Sequence, residues 1–455
     1  MPPFVRELSA IAAALVTGGA AVHVLTEDST ANWVDGATKY GSNWATNPQS
    51  GLVLGAIAAV AVCVVVASRG SRRSGWAAVA TFGALIVGAT LLPRWVDGTG
   101  LLQVLQIVRA LAAGAMLGSA VAAAWGRLAW QAGLTAGVLT AALSAAFRNT
   151  PWLQFTTVDD AHAVQLAHHE PNWWLLGTAL VVAIAAAATT QSEFRLQRPN
   201  QRAAAFALGG ILAFAVIDRL LGEWVSSAAI GDRPLLWRAV FVSVAILLAV
   251  ALVLATVAQP SNGRFALVAL AVAAAVAILV RDMRWEPLSI GTTWLILAAL
   301  LATIVGTRAS GVRPNALIGL GVVAIVPLLS TLWPDFGTDC IGLLLRIVLV
   351  GLGAGYALGS TYSSESPFAA VGLAILSASS TLVAAASTPV SGRINFAYVE
   401  HATEGAVASL DGPNVNEFRL AGLAMLVVVV VCTAGVAEMR RVSGTAKPVG
   451  FGPAR

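Results

Sequence analysis

Arg109-Ala-Leu-Ala-Ala-Gly114-Ala-Met-Leu-Gly118 and Arg346-Ile-Val-Leu-Val-Gly351-Leu-Gly-Ala-Gly355 are two copies of one pattern, R-x4-G-x3-G, roughly 240 residues apart. Each lies inside an apolar run of helical length. Glycines four apart are common in membrane helices because they allow close packing, and alone they would say little. The arginines say more. A charge near the bilayer centre costs at least ~2.5–3.5 kcal/mol on insertion scales, so two at matching places are expensive to keep by accident.

Working outward, other features recur in the same order. Arg69-Gly-Ser71-Arg-Arg73 precedes one apolar run, and Arg308-Ala-Ser310-Gly-Val-Arg313 precedes its counterpart. Those two runs end at Leu92-Pro93 and Trp333-Pro334. Apolar runs of helical length fall near 7–27, 50–67, 75–92, 100–125, 127–147, 173–191, 203–225, 236–258, 264–280, 288–306, 315–333, 340–359, 367–388 and 416–437. That predicts fourteen spans, with spans 1–6 repeated as spans 9–14 and spans 7 and 8 inserted between. Eight spans separate the copies, so both face the same way, as in the parallel repeats of major facilitator transporters. The expected divisions are a six-helix bundle over 1–202, an inserted pair and linker over 203–263, a second six-helix bundle over 264–441, and a polar tail over 442–455.

Composition agrees with this class. The 455 residues are 58% hydrophobic and 11% charged, with a mean hydropathy of +0.80. A soluble globular chain carries about 25% charge, so a large water-soluble enzyme is excluded. The net charge is +5, yet only Lys39 and Lys447 are lysines and no basic run exceeds two residues, so nucleic acid is not the expected partner. The excess instead encodes orientation. On the side holding both termini fifteen basic residues stand against four acids, and on the other side eight stand against sixteen. By the positive-inside rule both termini are expected in the cytoplasm, with the chain multi-pass in the plasma membrane. The longest loops, 28–49, 148–172 and 389–415, are then external. Arg6 followed by the apolar run from Leu8 has the outline of a signal peptide, but no clear small-residue cleavage site follows, so the first span is expected to stay. Cys63, Cys340 and Cys432 show no CxxC spacing, which argues against a disulfide framework or a structural zinc site.

Three stretches carry a family resemblance. Asp28-Ser-Thr30-Ala-Asn32 looks like the Asp-x-Thr…Asn signature of a first helix, Arg109 with Gly114 looks like an Arg-plus-Gly motif in helix 4, and Asn172-Trp173-Trp174 is similar to an aromatic opening of helix 6. On these the chain resembles the fourteen-helix branch of the major facilitator superfamily, the drug:proton antiporters. The resemblance implies a proton-coupled secondary transporter and a first helix that continues to about Val34. Two departures limit it. Ser68-Arg-Gly-Ser-Arg72-Arg73 keeps the bases of the loop 2–3 gate motif but has no Asp, and Gly133-Leu-Thr-Ala-Gly137 is followed by Val138 where the exporter motif has Pro. Neither the usual gate salt bridge nor a direction of transport is therefore implied.

The candidate proton-coupling residues are His23, Glu27 and Asp28 near the outer end of span 1. His23 and Glu27 share a face at i,i+4, and a carboxylate in a partly dry cavity can load and release protons near neutral pH. Solvated loop acids are the alternative if the helix ends at Thr26. Arg109 and Arg346, with Arg72 and Arg73 at the loop, are the transport and gating candidates. The two intramembrane arginines could pair with acids, with an anionic substrate, or with neighbouring carbonyls. Asp218, Arg219 and Glu223 cluster in span 7, where neutralisation within the helix is the favoured reading. Asp159, Asp160, His162, His168, His169 and Glu170 crowd the loop before span 6 without a metal-ligand spacing, so a solvated entrance loop is expected and no metal. No P-loop, Rossmann fingerprint, G-x-S-x-G or HExxH occurs, so no cofactor and no ATP-driven step are expected.

The leading expectation is therefore a non-enzymatic transporter, most simply a monomer. It would move protons and an amphipathic or lipid-like small molecule by alternating access. Two rivals stay open. Glu27-Asp28 in a first external loop would suit a polyprenyl-phosphate-dependent membrane glycosyltransferase, and the missing gate Asp would suit a non-transporting subunit of an envelope assembly.

Overall fold

A computed structural model describes residues 3–26, 48–92, 99–148, 172–190, 196, 198–228, 233–283, 292–334, 340–391 and 415–445. Among them the chain is all-α. Lipid offers no hydrogen bonds to a bare backbone, so each apolar run must satisfy its own amides as a helix. The first half comprises α1 (Pro3–Thr26), α2 (Pro48–Arg69), α3 (Arg72–Leu91), α4 (Thr99–Ala124), α5 (Leu128–Arg148) and α6 (Trp173–Thr189). Next come α7 (Gln201–Ala228) and α8 (Arg233–Val257). The second half comprises α9 (Pro260–Met283), α10 (Thr292–Ser310), α11 (Ala316–Leu332), α12 (Cys340–Gly359), α13 (Ser366–Ala378), α14 (Ser380–Ser391) and α15 (Val415–Thr445). Among the described residues twelve spans are long and apolar enough to cross a bilayer, with α13 and α14 together making one of them, and two shorter apolar helices, α6 and α11, bring the number to fourteen.

Local signals set the ends. Asn172 caps α6 by accepting from the Leu175 amide, and Asn315 caps α11 by accepting from the Leu317 amide. The tight turns after α2 and α4 run through Gly70 (φ 76°) and Gly126 (φ 87°), where a side chain would strain the backbone.

Helix packing repeats. In the first half α1 packs on α4, α5 and α6, α2 on α4, and α3 on α4 and α6. In the second, α9 packs on α12, α13 and α15, α10 on α12, and α11 on α12 and α15. The contacts between halves are reciprocal too: α2 meets α13 as α10 meets α5, and α4 meets α13 as α12 meets α5. The packing pattern of α1–α6 is thus matched, helix for helix, by that of α9–α15. The helices α7 and α8 pack on each other. Beyond that, α7 lies on α2, α13 and α14, and α8 lies on α9, α14 and α15.

The glycine stripes have the same job in both copies. A Cβ on Gly114 would stand 2.0 Å from the Gly55 oxygen, and one on Gly118 1.9 Å from that of Ala59. In the second copy a Cβ on Gly351 would stand 3.2 Å from the Ala299 oxygen, and one on Gly355 2.4 Å from that of Thr303. Each R-x4-G-x3-G thus lays its glycines on the helix two places earlier, α4 on α2 and α12 on α10.

Several helix limits differ from the sequence reading by a few residues, and three of them matter below. The span expected over 367–388 is broken at Ser379 (φ −76°, ψ 83°) into α13 and α14. The span expected over 264–280 runs on to Met283, and that expected over 416–437 runs on to Thr445.

Candidate functional site

The end of the bundle that holds both termini is closed by aromatic rings drawn from both halves. Trp125 follows directly on α4, and its Nε1 donates to the Ser363 carbonyl in the turn between α12 and α13 at 3.0 Å. Its ring meets Tyr362 edge-on at 5.7 Å and Phe265 of α9 at 5.8 Å, and Phe265 and Tyr362 lie 6.4 Å apart. Edge-to-face pairs of this kind add about 0.5–1.5 kcal/mol beyond the area they bury. Burial pushes the Tyr362 phenol up to about 12.

Arg72 braces this closure from the first half. Its Nη2 donates to the Trp125 carbonyl at 3.1 Å, and its guanidinium lies 5.1 Å from the centre of the Trp130 ring. Arg127 lies over the same ring at 5.1 Å and pairs with Glu7 of α1, whose other oxygen accepts from Trp130 Nε1 at 2.9 Å. The gate region thus has no inter-half salt bridge among the described residues. Arg72 is buried and serves a carbonyl and an indole face, while Arg73 is exposed.

Deeper in the bundle, Arg109 and Arg346 are 3% and 1% exposed and hold equivalent places on α4 and α12. At 100° per residue each points about 140–180° away from its own glycine stripe, so away from α2 and α10 respectively. Each lies about 20 Å along its helix from the termini end. Arg281 near the end of α9 is also fully buried; its Nη1 donates to the Phe418 carbonyl at 3.1 Å and its guanidinium lies 4.8 Å from that ring's centre. Sequence reasoning placed Arg281 outside span 9. The signal was there in part, since an aromatic four residues into the last span could shield an arginine at the end of a neighbour.

The span 7 cluster divides its partners between helices. Arg219 pairs with Glu223 at 3.0 Å on its own helix, and its Nε also donates to the Ser50 hydroxyl of α2 at 3.3 Å. Asp218 goes elsewhere. Its Oδ2 accepts from the Ser380 amide and hydroxyl, each at 2.8 Å, and its Oδ1 from the Thr381 amide at 3.1 Å. The Thr381 hydroxyl donates to the Asp218 carbonyl at 2.7 Å. Asp218 is therefore the N-cap of α14, supplied from another helix. The amides exposed by the break at Ser379 need an acceptor that lipid cannot offer, and a carboxylate at a helix N-terminus also suits the dipole. The reading of Asp218 as neutralised within α7 is thereby corrected.

His23 is buried near the end of α1. Glu27, Asp28 and the loop cluster Asp159, Asp160, His162, His168, His169 and Glu170 lie outside the described residues. The site residues that the structure brings together are thus Arg72 with the closure, and Asp218 and Arg219 with the two halves. The rings of Trp125, Phe265 and Tyr362, and the break at Ser379, were not singled out from sequence.

No family model matches the chain, and no curated protein does. Among solved structures it is similar to an autoinhibited POT family peptide transporter (11% identity, 99% of each chain, TM-score 0.47). It is also similar to the human organic anion transporter MFSD10, or TETRAN (13% identity, 95% of this chain and 100% of that one, TM-score 0.46). A third is a bacterial homologue of the human lysosomal transporter Spinster, inward-facing and unoccupied (14% identity, 100% of each chain, TM-score 0.44). Likenesses at these scores carry no functional argument. What the described residues show by themselves is an all-helical, multi-pass membrane protein. Nothing in it singles out the fourteen-helix drug:proton branch.

Proposed function

We propose that this chain is a secondary transporter, with residues 1–202 and 264–441 rocking about a central site and 203–263 forming an inserted pair. The single observation that carries the reading is the reciprocal contact between halves, α2 with α13 and α10 with α5, capped at one end by the Trp125–Tyr362–Phe265 closure. Two like bundles that meet along symmetric seams can tilt either way, and a plug at one end is what alternating access requires. The conformation described is then closed at the end with the termini, and the charge bias favours that end as the cytoplasmic one.

The finer reading is proton coupling through Asp28, with Glu27 and His23 beside it, and Arg109 as the basic partner. Protonation would weaken that pairing and bias the rocking equilibrium, which needs only a difference in proton affinity between the two states. The scarcity of polar groups in the spans favours an amphipathic or lipid-like substrate over a sugar. The test is flux in proteoliposomes under an imposed pH gradient, across a panel of amphipathic ions. Asp28→Asn and Arg109→Ala should each abolish proton-linked flux of whichever compound the wild type moves. Unchanged flux in both variants would remove the coupling mechanism.

A further inference from the structure

The inserted helix α7 touches both halves by polar groups on consecutive residues, deep in apolar surroundings. Asp218 caps α14 of the second half, and Arg219 reaches Ser50 of α2 in the first. Asp218 and Arg219 are 1% and 3% exposed, and Ser50 is fully buried. Gly222, one turn on, lets α7 press against the break: a Cβ there would stand 2.9 Å from the Ser380 Oγ. Ser50 lies at the start of α2, whose other end carries the turn at Gly70 on the termini side, so this bridge spans the halves toward the end opposite the aromatic closure.

The two attachments are unequal in kind. On the α14 side the carboxylate accepts from two backbone amides and a hydroxyl, and those amides belong to a helix start that needs them. On the α2 side the Ser50 hydroxyl accepts from Arg219 Nε at 3.3 Å, a longer contact than those the Ser380 and Thr381 amides make to Asp218. We propose that α7 is a strap across the two halves, fixed to the second half by Asp218 and held to the first by the Arg219–Ser50 contact, which parts when the end opposite the termini opens. The insertion is then a device that sets how readily that end opens. This rests on the rocking motion of the preceding section but not on any substrate.

The experiment measures distances between spin labels in full-length protein in nanodiscs, with Cys63, Cys340 and Cys432 replaced by alanine. Leu101 and Ile341, exposed in the first turns of α4 and α12, report opening between the halves. Trp224, exposed on α7, is paired with each in turn. Ser50→Ala should raise the long-distance fraction of the Leu101–Ile341 pair by roughly threefold to tenfold, the shift expected from one hydrogen bond. Arg219→Ala should do the same, and Ser50→Ala keeps the test standing should Arg219→Ala fold poorly. In Ser50→Ala the Leu101–Trp224 distance should become bimodal while Trp224–Ile341 stays unimodal. An unchanged Leu101–Ile341 distribution in Ser50→Ala, or a bimodal Trp224–Ile341 distance, would overturn the strap. Flux measured on the same variants separates the two ideas: a shifted distribution with no flux of any compound keeps the strap and sinks the transporter.

Discussion

Trp125 and Tyr362 meet edge to face at 5.7 Å, one at the end of α4 in the first half and the other between α12 and α13 in the second. Each comes from a turn at the same end of the bundle, so their contact exists only while the halves are closed there.

Trp125→Phe keeps a ring but loses the hydrogen bond to Ser363, and Trp125→Ala loses both. The first should weaken closure by about 1 kcal/mol, a roughly fivefold population shift, and the second by about 2–3 kcal/mol. Labels at the exposed residues Leu128 and Val312 on that end should show the longer distance growing in that order. Equal distributions in wild type and Trp125→Ala would show that the rings do not hold the end shut.

The part of closure that Tyr362 supplies should be flat in pH across the physiological range. The Tyr362 phenol is raised to about 12 by burial, above the ordinary value of about 10, so the closed state holds its proton more tightly than an open one would. Its contribution is fully present below pH 10 and is lost as pH rises toward 12. Wild type and Tyr362→Phe should therefore show the same Leu128–Val312 distance at each pH from about 5 to 9 and diverge only above about pH 10, where the wild type lengthens. Tyr362→Phe should abolish that alkaline change.

Gly118→Ala should destabilise the fold by about 1–3 kcal/mol, because its Cβ would stand 1.9 Å from the Ala59 oxygen. Gly209→Ala on α7 is the control, since nothing lies within 4 Å of the added carbon, and helix propensity should make it neutral or stabilising by up to about 1 kcal/mol. Thermal unfolding of the purified variants checks both signs. A Gly118→Ala protein as stable as wild type would mean that α2 and α4 can separate without cost.

Asp218→Ala should cost about 3 kcal/mol or more, because it strands the Ser380 and Thr381 amides in an apolar interior. Asp218→Asn keeps an acceptor and should lose less. The measurement is the melting temperature of each variant beside wild type. Equal values for Asp218→Ala and wild type would sink the capping role.

Much of the fold was legible because lipid makes strict demands on local sequence. Each crossing needs its own apolar run, and the repeated Arg-plus-glycine stretch marked the two copies. What was not legible depended on partners far along the chain. Ser377, Ser379, Ser380 and Thr381 read as tolerable polar residues in one apolar span, and only Asp218, some 160 residues away, makes a break there stable. Arg281 read as a loop residue because hydropathy falls at that point, yet Phe418 covers it. Trp125 was not singled out either, because which rings it meets is a tertiary matter.

The glycine stripes restrict which parts of the molecule can move. Where Gly114 and Gly118 of α4 lie on α2, and Gly355 of α12 lies on α10, backbone approaches backbone directly, so sliding or tilting there would drive carbonyl oxygens into Cα atoms. Those pairs behave as welded plates. Flexing between the halves is then left to the seams of α2 against α13 and α5 against α10, and each plate contributes one edge to such a seam. The pattern that marks the duplication also divides the molecule into rigid panels and working joints.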